Sequence, residues 1–129
     1  RATSNICTNQ GLMLLRATIH LALLGRHGLR ALALRNVEKA AYLRTRLAAT
    51  PGLALPFDAP VFHELVVKLA PGDTAERALA RCLAVGILGG LDLGPYAPEL
   101  GPALLVCATE LCSRDDIDRL AAALGRSSS

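Results

Sequence analysis

Few side chains in this sequence can act as nucleophiles or ligands, and their spacing limits what the chain can do by itself. The opening run Arg1-Ala-Thr-Ser-Asn-Ile-Cys-Thr-Asn-Gln10 places Ser4, Cys7 and Thr8 close together. A hydroxyl or thiol attacks a carbonyl efficiently only when a neighbouring base takes its proton and a third group orients that base. No Asp or Glu precedes Glu38, and the first histidine is His20. The segment therefore encodes no nucleophilic triad. It does supply a dense set of side-chain oxygens and amides, the residue types that cap the free N–H groups at a helix start. A helix start also favours anions, so the same groups suit a phosphate or a carboxylate. Ser4, Asn5, Thr8 and Asn9 are the candidates for that contact, Asn5 first because its amide both donates and accepts.

The remaining candidates read as structural. Lys39 and Lys68 are the only lysines. Lys39 follows Glu38 in a helical pattern, a solvated pair, and Lys68 ends an extended segment before Pro71. An activated lysine needs a desolvated or cationic pocket. His63-Glu64 lacks the second histidine that a zinc-protease helix requires, and its alternating surroundings pack His63 among apolar neighbours. Cys7, Cys82, Cys107 and Cys112 form no paired pattern, so reduced thiols are expected, with Cys107 buried in a strand. The glycines at 86, 89, 90, 94 and 101 follow a helix instead of a strand, unlike a dinucleotide fingerprint. That loop shapes a rim, with Tyr96 toward a neighbouring site. No catalytic residue and no metal ligand is assigned.

Periodicity supplies the elements that position these groups. Gly11–Leu24 is apolar on almost every face, the mark of a helix buried on most sides or lying at an interface. Gly25 and Gly28 punctuate it. A second helix is expected over 29–48, with Leu29, Leu32, Ala33, Val37, Ala40, Ala41 and Leu47 on its apolar side, ending at Pro51-Gly52. Leu53–Pro56 reads as a short strand. Val61–Leu69 alternates and reads as a half-buried strand with His63, Leu65 and Val67 facing inward. Asp73 with Glu76 is expected to cap a helix whose stripe is Ala75, Leu79, Cys82 and Leu83, with Gly86 at its exit. Ala103–Thr109 is a short strand. Ser113 with Asp116 caps a last helix with Ile117, Leu120, Ala121 and Leu124 inward, closed by Gly125. The expected core is Leu65, Val67, Leu79, Leu83, Leu105, Val106, Ile117 and Leu120. This order predicts an α+β fold: long N-terminal helices, then a small three-stranded sheet with helices on one face. The expected division is interface helices over 1–50, a small α+β domain over 51–126 and a tail at 127–129.

The 129 residues suit one modest core, and the absence of an initiator Met before a polar run reads as a cut through a longer chain. Eight basic side chains in residues 1–50 (Arg1, Arg16, Arg26, Arg30, Arg35, Lys39, Arg44, Arg46) face a single acid, Glu38. Only Tyr42 interleaves with them as a stacking platform, so nucleic-acid binding is not expected. Arg16 and His20 interrupt the longest apolar run, so no membrane span or signal peptide is expected. A cytoplasmic location is expected.

Several blocks carry a family resemblance: Ala2-Thr-Ser-Asn-Ile-Cys-Thr-Asn-Gln-Gly11, Leu23-Leu-Gly25 with Gly28-Leu-Arg30, Leu55-Pro-Phe-Asp-Ala-Pro60, Gly90-Leu-Asp-Leu-Gly94, Tyr96, Pro98-Glu-Leu-Gly101 and Ala103-Leu-Leu-Val-Cys-Ala-Thr-Glu110. In this order the sequence resembles the C-terminal part of the glycine cleavage system P-proteins, the decarboxylating glycine dehydrogenases of the two-subunit kind, at subunit 1. His20 and His63 depart from it, standing where an aromatic or a polar amide would be expected. The resemblance implies the small C-terminal domain of a fold-type I pyridoxal-phosphate enzyme. It implies that the intact heterotetramer decarboxylates glycine and passes the aminomethyl group to lipoylated H-protein. The cofactor lysine would belong to subunit 2, so this chain alone would be inactive. It also places Ser4, Asn5, Thr8 and Asn9 beside the active site. A non-catalytic dimerisation or regulatory domain, or the small domain of another fold-type I enzyme, are the rival readings.

Overall fold

The computed structural model describes residues 8–125. Helix α1 runs from Thr8 to Ala48, with non-helical backbone at Gly25 (φ 59°, ψ −176°). Only glycine occupies that conformation without strain. The two helices expected here are thus present, meeting at a kink at Gly25. The chain divides into two compact units within α1, between Leu34 and Arg35.

In the first unit the apolar residues of α1 are open to solvent. Leu14 is 70% and Leu23 82% exposed, and Leu12, Met13, Leu15, Ile19 and Leu21 are each half exposed or more. No described helix is long and apolar enough to cross a membrane.

The second unit holds the α+β fold. Its further elements are β1 (Glu64–Lys68), α2 (Ala75–Ala84), β2 (Leu91–Asp92), a 3-10 turn at Pro98–Leu100, β3 (Ala103–Cys107) and α3 (Arg114–Leu124). The sheet is antiparallel, in the order β1-β3-β2. Its third strand differs from the expected one. Leu53–Pro56 contributes only an isolated bridge, Ala54 to Lys68, and Leu91–Asp92 in the glycine-rich loop pairs with Leu105 and Leu104. Gly90 permits this approach: its φ is +121°, and any Cβ there would collide with the Leu105 carbonyl oxygen.

Strand parity sorts the core. Leu65 and Val67 of β1 stand opposite Val106 and Leu104 of β3, and all four are buried. Leu105, expected in the core, has the opposite parity and is half-buried; Leu104 takes its place. Helix α1 contributes Ala40, Leu43 and Leu47, each fully buried, at steps of three and four. Leu29, Val37 and Ala41, expected on that face, are exposed. In α2 the buried stripe is Ala75, Ala78 and Cys82, while Leu83 is 64% exposed, one step around the helix.

Local chemistry fixes the helix ends. Asp73 is not the cap of α2: Thr74 is, its hydroxyl accepting from the Arg77 N–H. At the other end the Ile87 and Gly86 amides donate to the Cys82 and Leu83 carbonyls, with Gly86 at φ +75°. This is a complete Schellman exit. The expected Ser113–Asp116 capping box is present at α3.

Candidate functional site

Ser4 and Asn5 lie outside the described residues, while Thr8 and Asn9 open α1. The first turn of α1 carries no acidic side chain. Its amides therefore present the positive end of the helix dipole with no local carboxylate to neutralise it, a disposition that suits an anion.

The two lysines stand apart from the grooves of the second unit. Lys39 is half-buried on α1, and Glu38 pairs with Arg35 at 3.7 Å instead of with it. Lys68 ends β1, where its backbone exchanges hydrogen bonds with Ala54. Neither lines the described grooves.

Two polar clusters fasten the helices. Asp73, 6% exposed, receives both ends of the Arg81 guanidinium. Arg81 Nε also donates to the Ala123 carbonyl at 3.1 Å, and Nη2 to that of Leu124 at 3.4 Å. Helix α3 has no basic residue in its last turn, so a cation from α2 satisfies the carbonyls at its negative end. The hydrogen bond from Arg81 holds the Asp73 carboxyl below its ordinary range, against the opposing effect of burial. A groove of about 290 Å³ runs beside this clasp, lined by Arg81, Ala84, Val85, Arg119, Ala122 and Ala123. Both of its arginines are engaged, Arg119 donating to the Val85 carbonyl, so the groove reads as a seam between helices. In the second cluster Tyr42 OH and Arg46 Nε donate to Asp118 Oδ1 at 2.9 and 2.6 Å, with Arg114 stacked 5.2 Å above the Tyr42 ring. Tyr42 thus serves packing between α1 and α3. Tyr96 is 72% exposed on the glycine-rich loop.

A third grouping escaped the sequence reading. His63, Glu64 and Cys107 converge, one ligand atom of each within 4.8 Å of the others. Strand pairing causes this. The Ala108 N–H donates to the His63 carbonyl at 2.9 Å, which makes Glu64 and Cys107 the next, non-hydrogen-bonded pair, where opposed side chains stand closest. Cys107 is exposed, not buried as expected, because it continues the outward parity of Leu105. His63 Nε2 lies 3.9 Å from Glu64 Oε1, whereas its buried Nδ1 has no partner. No residue spacing announces a pairing that spans two strands joined through a helix and a loop.

The profile of the glycine cleavage system P-protein family matches residues 1–124. The chain is 48% identical over 125 residues to the probable glycine dehydrogenase (decarboxylating) subunit 1 of Desulforamulus reducens, covering 97% of this chain and 28% of that protein. The protein of the same description from Methylococcus capsulatus is 49% identical over 124 residues, 96% of this chain and 27% of its own length. Among solved structures, a crystal structure of glycine decarboxylase (P-protein) of the glycine cleavage system, in inhibitor-bound form, superposes with a TM-score of 0.71. It is 31% identical, over 83% of this chain and 24% of that one. The chain thus spans little more than a quarter of the length of the curated relatives it matches.

Proposed function

This chain belongs to the glycine cleavage system P-protein family, and from that premise we propose that it is the small C-terminal domain, with its leading helix, of a subunit 1 glycine dehydrogenase. One observation carries the reading: near-half identity to proteins of that description along almost the whole chain. It favours an enzyme part over a stand-alone regulatory module or another fold-type I enzyme. In the intact enzyme, subunits 1 and 2 together decarboxylate glycine and transfer the aminomethyl group to lipoylated H-protein, as a cytoplasmic heterotetramer. Pyridoxal phosphate, attached to subunit 2, supplies the electron sink for loss of the carboxylate.

This chain's own contribution is positional. The proposed division is interface helices over 1–50, a small domain over 51–126 whose core also takes in Leu43 and Leu47 of α1, and a tail at 127–129. The solvent-exposed leucines of α1 support the first assignment, since apolar patches of a few hundred Å² ordinarily meet a partner. Residues Ser4, Asn5, Thr8 and Asn9 border the active site, where their amides and hydroxyls hold an anionic group of glycine or cofactor without a bulky cation.

The test is Asn5→Ala in full-length subunit 1, assembled with subunit 2 and H-protein and assayed by glycine–carbon dioxide exchange. The expected result is a fall of roughly tenfold or more, from lost electrostatic positioning. Unchanged exchange with a lowered melting temperature would reduce this segment to a helix cap. Full exchange by subunit 2 and H-protein without subunit 1 would overturn the assignment as a whole.

A further inference from the structure

We infer that His63, Glu64 and Cys107 form a binding site for one divalent, borderline-soft cation of the zinc class, at the open end of the β1–β3 pair. Three observations converge on it. The first is donor chemistry: imidazole nitrogen, carboxylate oxygen and thiolate sulfur are the three side-chain ligand types of zinc sites. The second is geometry. Ligand atoms mutually within 4.8 Å need only small rotamer adjustments to surround a cation at bond lengths of about 2.0–2.3 Å, and the closely opposed pair Glu64–Cys107 fixes two of them on a rigid ladder. The third is the orphaned imidazole. His63 Nδ1 is buried with no hydrogen-bond partner among the described residues, so none of them fixes the tautomer, and the ring can offer an unprotonated nitrogen to a metal. Phe62 packs edge-on against the ring at 4.9 Å and limits its swing.

The site has three protein ligands and leaves room for water at the fourth position, because both Glu64 and Cys107 are exposed. A cation here ties the residue entering β1 to the last residue of β3.

The experiment uses the purified chain, titrated with Co²⁺ as a spectroscopic stand-in and with Zn²⁺ in competition with a chromophoric chelator. One equivalent is expected to bind, with a thiolate-to-cobalt charge-transfer band that Zn²⁺ abolishes. Cys107→Ser removes the band, His63→Gln weakens binding tenfold or more, and Cys112→Ser changes neither. Circular dichroism checks that each variant folds. If Cys107→Ser does not fold, the decision passes to His63→Gln, whose unchanged affinity overturns the site. Absence of the band in the unmodified chain, or its persistence in Cys107→Ser, also overturns it.

Discussion

At the scale of single residues, the chain's most consequential pair is Asp73–Arg81. Sequence inspection makes Asp73 a helix cap, because Asp three residues before Glu fits a capping box. Thr74 takes that role with its own hydroxyl, leaving Asp73 to hold a guanidinium that in turn satisfies two carbonyls of α3. Asp73 is almost wholly buried, so removing one partner strands the other's charge. Asp73→Ala is expected to cost about 3 kcal/mol in urea unfolding, the lower end of the range for a buried pair because Arg81 keeps some water contact. The pair also makes stability pH-dependent. The folded carboxyl lies below its ordinary range, so its contribution is fully present above about pH 4, the unfolded value. It is lost as the pH falls from there through the folded value. Asp73→Asn should flatten that acid limb of the stability curve; an unchanged limb would assign the effect elsewhere, for instance to Asp116, lowered by its Ser113 hydrogen bonds.

At the scale of elements, the last third of α1 is what the small domain is built on. Leu43 and Leu47 are fully buried in a cluster with Leu65, Val67, Leu104, Val106, Ile117 and Leu124. Truncating such a leucine loses its transfer free energy and leaves a cavity. Leu47→Ala is expected to lower stability by about 3 kcal/mol, whereas Leu34→Ala, at a position 54% exposed, should stay within about 0.5 kcal/mol. Chemical denaturation of the two variants measures the difference. Equal effects would mean that helix 35–48 is not anchored by this face. The alternating pattern over residues 61–69 contains β1, which is shorter than expected at Glu64–Lys68; a period of two survives in a half-buried strand. It could not locate β2. Two residues carry no period, and their pairing depends on a glycine yielding to a carbonyl across the sheet.

At the scale of the whole molecule, the two units contrast in how they treat apolar surface. Residues 35–125 bury one core around a sheet while leaving Leu83, Leu88 and Leu111 exposed, whereas the described part of the first unit leaves a run of leucines exposed along α1. A surface of that kind associates in water, because burying it gains roughly 25 cal/mol per Å². The isolated chain is expected to form oligomers at tens of micromolar, as read by light scattering. A Leu14→Lys, Leu23→Lys double variant should shift it toward monomer. A monodisperse monomer for the unmodified chain would refute the interface role proposed for this helix.

The family, the α+β class, the capping box of α3, the glycine exit of α2 and the inward face of β1 are all legible in the chain before it folds. Each is written in local spacing or in contiguous blocks of residue identity, which need no knowledge of what lies across the fold. Tertiary structure alone decided which strand completes the sheet, that Leu104 and not Leu105 turns inward, and that Asp73 serves α3 through Arg81. It also decided that Cys107 emerges beside His63 and Glu64. These outcomes depend on register between segments tens of residues apart, and register is set by the packing of faces against one another.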